Sequence, residues 1–279
     1  IYAEGDVVSG SDDGYSDGIF ANDIVAALDK AAQADNVKAI VLRINSPGGS
    51  ALASEQMTDA VVRAKEKKPV IVSMGGVAAS AGYEIASNAT AIVAQPITLT
   101  GSMGVFGVIP EIGTLLHQKL GLTTDTVATN ANAAGMSIMR PMTPTSRAML
   151  QRNVESFYEN FCRRVANGRN LEVEYVDSIG RGHVWIGYDA LRRGLVDTLG
   201  SMNTAMQLAA KSAGLSDYSI RVFPAEKDIF EQMQKMLGEN QEGEVEARIN
   251  AIVPFYSDIA RLSKIEPVQA RLPFLIRIE

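Results

Sequence analysis

The sequence predicts an α/β fold with a mainly parallel sheet. Three observations carry this. Val- and Ile-rich runs alternate with amphipathic stretches from residue 19 to about 128. Each Gly-rich turn, at 46–50, 75–82 and 100–104, sits where a strand ends. The β-branched run Val70, Ile71 and Val72 reads as a short buried strand.

In chain order, residues 6–19 are rich in Gly, Ser and Asp and read as a loop. Ile19 to Ala34 carries Ile24, Leu28 and Ala31 at helical spacing. Val37 to Ile44 reads as a strand, Asn45–Ser50 as a turn and Ser50–Ala64 as a helix. Lys65–Lys68 is a solvated helix end. The run from Val70 reads as a buried strand that Gly75 and Gly76 break, with a helix opening at Ser80 and ending near Ser87. Ala91–Ala94 is a strand, and Thr100–Val105 is a turn of small residues. A strand, a helix over Glu111–Lys119 and a strand over Thr123–Ala128 follow, then a loop over Asn130–Thr143. Pro144 starts a long helix with Leu150, Val154, Phe157, Phe161 and Val165 on one face and Gly168 as its C-cap. Helices at Val173–Ile179, Tyr188–Gly194 and Ser201–Ala213, an edge strand at Leu195–Asp197 and a strand at Tyr218–Phe223 complete a domain over 1–224. Residues 225–279 are Glu/Gln/Met-rich and read as a helical, packing or oligomerising appendage.

Composition narrows the function. With 26 basic and 32 acidic residues the net charge is −6, which gives no basic field for a nucleic acid. A single cysteine, Cys162, excludes an internal disulfide, and its thiol reads as buried or half-buried. Two separated histidines and one cysteine make no metal-ligand spacing, and no cofactor motif is present. No apolar run reaches ~18 residues. The chain opens on Ile1 in what reads as mid-strand, as a piece of a longer protein would.

The chemistry centres on Ser80 in Ala78-Ala-Ser-Ala-Gly82. A serine between a strand and a helix is either an N-cap or a nucleophile raised on a sharp corner. The pattern is not the G-x-S-x-G of hydrolases. Gly48 and Gly49, between a strand and a helix, either permit a sharp turn or point N–H groups at an oxyanion or phosphate. The N–H of Ala81 is a natural second donor for an oxyanion. A serine nucleophile needs a base. His117 and His183 both read as structural, without carboxylate partners. The ten lysines (30, 38, 65, 67, 68, 119, 211, 227, 235 and 264) fall on helix surfaces, helix ends or charged stretches, so the base is missing.

Three ordered motifs, Ile44-Asn-Ser-Pro-Gly-Gly49, Met74-Gly-Gly-Val-Ala-Ala-Ser-Ala-Gly-Tyr83 and Thr100-Gly-Ser-Met-Gly-Val105, resemble the signal peptide peptidase A (protease IV) family. Arg140-Pro-Met-Thr143 and the stretch Val184–Asp197 fit the same family, and the resemblance spans about residues 1–215. It implies the spiral core of repeated β-β-α units seen in Clp proteases and crotonases. It further implies a Ser–Lys dyad that cleaves remnant signal peptides, with Ser80 as nucleophile, Gly48 or Gly49 in the oxyanion turn and Ser102 helping to orient the lysine. The family lysine falls near Asn132 or Asn130 here, and neither is a base. In long, tandem-duplicated members the first half supplies the lysine, and this sequence resembles the second half of one. The implied partners are peptide substrates, that N-terminal half and further copies of the chain, a tetramer being one such assembly. The implied location is the bacterial inner membrane, with the catalytic part facing the periplasm. Two rival readings remain at this point. One is a crotonase-like acyl-CoA enzyme using Glu84, which otherwise reads as an exposed helix residue. The other is a non-catalytic oligomerisation scaffold.

Overall fold

The computed structural model describes residues 1–12, 18–130, 133, 137–223 and 268–271. Its first half repeats a strand of the larger sheet followed by a helix, with short strands of a second sheet between them in the first two units. The first unit is β1 (Tyr2–Glu4), β2 (Val7–Val8), β3 (Ile19–Phe20) and α1 (Ala21–Gln33). The second is β4 (Ile40–Ser46), β5 (Gly48–Ser50) and α2 (Ala51–Lys65). The third is β6 (Val70–Ala79) with α3 (Ala81–Ser87). The strands β7 (Ala91–Ala94) and β8 (Leu99–Gly101) then lead to β9 (Phe106–Gly107) and α4 (Gly113–Leu120).

The larger sheet runs β1-β4-β6-β7-β11, with β11 at Thr198–Leu199, and all of these neighbours are parallel. Strand β8 also lies parallel on β6, and β10 (Val184–Ile186) closes antiparallel on β8. The central strands β4 and β6 are buried between α1, α2 and α3 on one side and α8 (Met202–Ser212) on the other. Ile71, Val93, Ala205 and Ala209 form the smaller core beneath α8. The α/β class and mainly parallel sheet are those the sequence predicts.

Strand β6 runs ten residues, straight through Gly75 and Gly76, where the local sequence pattern predicts its end. Its first half pairs with β7 and its second half with β8, so the glycines mark the exchange of neighbour. The register against β4 also shifts between Ile44 and Ser46. At Gly75 the Asn45 side chain lies where a Cβ would be, and Asn45 Oδ1 accepts from the Val77 N–H at 3.2 Å. A side chain at position 75 would close off this bulge.

Further departures concern the periphery. No strand forms over 123–128, where every residue is exposed, nor over Tyr218–Phe223. The edge strand expected at Leu195–Asp197 lies at Thr198–Leu199. The long helix α5 (Pro144–Arg169) continues through Gly168, whose missing side chain lets it press on the Ser87 carbonyl, and Asn170 at φ 53° is its left-handed cap. Only its C-terminal half is buried, through Phe161, Cys162, Val165 and Ala166, so Leu150 and Val154 pack less than their spacing suggests. Helices α6 (Val173–Ile179) and α7 (Gly187–Arg192) follow α5, and no residue of α4 is buried. No helix among the described residues is long and apolar enough to cross a membrane.

Of the stretch 225–279, expected to be helical, the described part is β12 (Val268–Arg271), a strand. It joins the second sheet, whose order is β3-β2-β5-β12-β9. It runs antiparallel to both neighbours, with Ala270 opposite Gly49 and Val268 opposite Gly107.

Candidate active site

Ser80 occupies the corner between β6 and α3 at φ 55° and ψ −119°, a conformation that costs a non-glycine residue about 1–3 kcal/mol. Two main-chain bonds hold it there. Its N–H donates to the Gly101 carbonyl at 2.8 Å, and its own carbonyl accepts from the Glu84 N–H at 2.9 Å, the first turn of α3. The Ser102 N–H donates to the His183 carbonyl at 2.7 Å, which fixes the neighbouring turn, where Ser102 also has positive φ, 50°. Ser80 and Ser102, apart in sequence, are thus on two corners joined by the Ser80–Gly101 bond.

The hydroxyl of Ser80 does not cap α3; no side-chain cap bond exists. Oγ instead donates to the Gly104 carbonyl at a long 3.4 Å. A strained backbone combined with a hydroxyl not used for capping is the feature that separates a nucleophile corner from a helix cap.

The turn carrying Gly48 and Gly49 packs against this corner. A Cβ on Gly82 would lie 3.1 Å from the Ser46 carbonyl oxygen and 3.2 Å from Ser46 Cβ, so the first turn of α3 touches the residue that opens the Gly turn. Gly49 has φ 155°, and the Val7 carbonyl occupies the space any side chain would need. The Gly48 N–H donates to Ser46 Oγ at 3.1 Å. Ser50 then caps α2, accepting from the Ala53 N–H at 3.2 Å. Strand β5 and strand β9 flank β12, and β9 begins two residues beyond Gly104, whose carbonyl meets Ser80 Oγ.

Among the described residues, no histidine or lysine is hydrogen-bonded to Ser80 Oγ. His117 is exposed on α4, and the exposed His183 ring stacks on Trp185 with centroids 4.6 Å apart. Burial lowers the proton affinity of Lys68, whose Nζ donates to the Ala31 and Ala34 carbonyls at 2.9 and 2.6 Å. It precedes the ten-residue β6 and Ser80 follows it, which puts them about 30 Å apart. Asn130 is exposed, and Asn132, Lys227, Lys235 and Lys264 lie outside the described residues.

Glu84 corrects an expectation. It is 3% exposed, and burial pushes its carboxyl up to about 7 against the pull of Ser54 and Arg164. Its Oε2 lies 2.6 Å from Ser54 Oγ and its Oε1 3.7 Å from Arg164 Nε, so it is engaged between helices and does not face solvent. Sequence spacing held no sign of this, because Ser54 and Arg164 come from separate helices.

The profile of peptidase family S49 matches residues 62–216, more than half of the sequence. The chain belongs to peptidase family S49. Among its S49 relatives, Protease 4 of Salmonella typhi is 38% identical over 256 residues, covering 91% of this chain and 41% of that protein. Protease 4 of Haemophilus influenzae is 37% identical over 231 residues, covering 80% and 37%. The chain therefore spans about two fifths of the length of these relatives. Among solved structures, a point mutant of ClpP1 from Listeria monocytogenes superposes with TM-score 0.49 at 16% identity, covering 74% of this chain and 93% of that one.

Proposed function

We propose that this chain is the serine-bearing half of a Ser–Lys endopeptidase and that Ser80 is its nucleophile. The observation that carries the reading is the Ser80 corner: positive φ, no capping bond and a place beside a Gly turn, in a chain of family S49. Ser80 Oγ attacks a peptide carbonyl while a neutral lysine takes its proton. The C–N bond breaks, the amine leaves with that proton, and water then hydrolyses the acyl-enzyme. The main-chain N–H of Ala81 and those of the Gly48–Gly49 turn are the oxyanion donors, each worth about 3 kcal/mol in the transition state. For Gly48 this requires its N–H to leave Ser46 Oγ. Ser102 orients the lysine from the second corner.

The lysine belongs to a preceding half of the protein, consistent with the two-fifths coverage of the relatives. Among the described residues of 108–149, Leu115, Leu120 and Val127 stand exposed, and Val127 is 99% exposed. Such a surface suits cover by that half or by another copy in a ring of subunits. The substrates are peptides bound extended, cleaved signal peptides above all, at the periplasmic face of the inner membrane. The pairing of β12 with β5 and β9 supports the extended mode, because a strand already fits between these edges. The acyl-CoA reading has no observation in its favour, since Glu84 is engaged with Ser54 and Arg164.

The test is turnover of a leucine-type or small-residue peptide ester by this chain alone and with the first half co-expressed, with Ser80→Ala as control. Turnover only with the first half, abolished by Ser80→Ala, is the expected result. Turnover by this chain alone places the base within it and overturns the split site. Absence of turnover in both overturns the peptidase reading.

A further inference from the structure

Glu84 is a buried acid that the proposed chemistry does not use. It lies one helical turn beyond Ser80, on the helix that Ser80 opens. Its environment is set by three helices. From α2 come Ser54, Glu55 and Asp59; from α5 comes Arg164; α3 carries Glu84 itself. Arg164 is committed mainly to α2, with Nη1 2.6 Å from Asp59 and Nη2 3.4 Å from Glu55, and it reaches Glu84 only at 3.7 Å.

The short contact is to Ser54, and it has a second end. Ser54 Oγ lies 2.6 Å from Glu84 Oε2 and also 2.8 Å from the Ala51 carbonyl. One hydroxyl proton cannot serve both acceptors. Both are satisfied when Glu84 carries a proton, donates it to Ser54 Oγ, and Ser54 donates onward to Ala51. Ala51 is the first residue of α2, two positions after Gly49. The chain Glu84–Ser54–Ala51 thus runs from the nucleophile helix to the end of the Gly turn, buried throughout.

We infer that Glu84 and Ser54 are positioning residues that set the distance between Ser80 and the Gly48–Gly49 turn through this hydrogen-bond chain to the Ala51 carbonyl. The inference rests on the peptidase reading of Ser80 for its effect on rate, but the coupling between the two segments stands without it. An error of even 1 Å between nucleophile and oxyanion donors costs about a hundredfold in rate, so a link of this kind acts on kcat.

The variants separate positioning from stability. Glu84→Leu removes the chain with an apolar side chain of similar size, and it leaves no partner unsatisfied, because Ser54 still donates to the Ala51 carbonyl and Arg164 still pairs with Asp59 and Glu55. Glu84→Gln keeps a donor for Ser54. Ser54→Ala cuts the chain from the other side. With the lysine-bearing half supplied, Glu84→Leu and Ser54→Ala should lower kcat at least about tenfold with KM within about twofold. Their melting temperatures should not fall in step, and Glu84→Gln should stay near wild type. Wild-type kcat in Glu84→Leu, or a loss in Glu84→Gln as large as in Glu84→Leu, overturns the inference. A second readout needs no turnover: amide hydrogen exchange of Gly49–Ala53 in this chain. Exchange there should quicken in Glu84→Leu and not in Glu84→Gln. Unchanged exchange in Glu84→Leu overturns the coupling even if the peptidase reading itself has failed for want of Ser80-dependent turnover.

Discussion

The Ser80 N–H donates to the Gly101 carbonyl at 2.8 Å, and both residues have positive φ, 55° and 75°. The corner that carries the hydroxyl is therefore held by a second corner. A Cβ at position 101 would come within 2.8 Å of Trp185 Cδ1 and 3.2 Å of the His183 carbonyl. Trp185 cannot yield easily, because Nε1 donates to the Ile179 carbonyl at 3.0 Å and Arg193 lies 3.5 Å over its ring. Gly101→Ala should cost about 2–4 kcal/mol, read as a lower melting temperature. With the lysine-bearing half supplied, it should also slow Ser80 labelling by a fluorophosphonate in the folded fraction.

The strain at Ser80 separates stability from reactivity. Ser80→Gly relieves a positive φ and removes a hydroxyl that makes one long bond to Gly104. It should stabilise the fold by about 1 kcal/mol while abolishing labelling and turnover. Chemical denaturation of the two proteins side by side checks the sign.

Glu84 gives the fold a pH dependence of known direction. Folded, its carboxyl holds a proton up to about 7; its ordinary value is 4.5. Between those values the folded state binds more protons than the unfolded state, so stability falls as pH rises. The contribution is fully present below 4.5 and lost above about 7. It amounts to about 3 kcal/mol at most. Urea unfolding at about pH 4 and about pH 8 should show this slope in wild type and a flatter one in Glu84→Gln.

The exposed apolar arm predicts an association phenotype. Leu115→Glu and Val127→Asp change side chains that are 58% and 99% exposed. Each should shift the stability of the single chain by less than about 0.5 kcal/mol. Each should lower the apparent mass in light scattering, or weaken co-purification with the first half. Unaltered assembly in both variants would remove this arm from the interface.

Much of the fold and part of the site are legible in the sequence because they depend on short-range patterns. Strands β4 and β7 and helices α1, α2 and α6 follow from local periodicity, and α6 spans Val173–Ile179 as its sequence suggests. Ser80, Ser102 and the Gly48–Gly49 pair stand out because Gly and Ala clusters at strand ends are local too. What sequence could not show depends on partners far along the chain. Gly75 and Gly76 sit inside β6 because β7 and β8 share that strand, which no local rule encodes. The stretch Thr123–Ala128 has strand-forming residues but no neighbour to pair with among the described residues, so its propensity goes unused. Glu84 looks exposed by spacing and is buried by α2 and α5, whose Ser54 and Arg164 lie 30 and 80 positions away.

Strand β12 places four residues of the same chain between the edges of β5 and β9. If those edges receive peptides, the occupant is an intramolecular competitor whose effective concentration does not change on dilution. Any Kd or KM measured on the whole chain is then an apparent constant, raised by the fraction of molecules in which Val268–Arg271 is docked. Removal of 268–279 should lower KM for extended peptides and leave kcat unchanged. A free peptide of the sequence 266–273 should restore the higher KM in the shortened protein. Selectivity then acquires a threshold: weakly pairing peptides fail to displace the tethered strand, and only those with a better fit opposite Gly49 and Gly107 reach the serine.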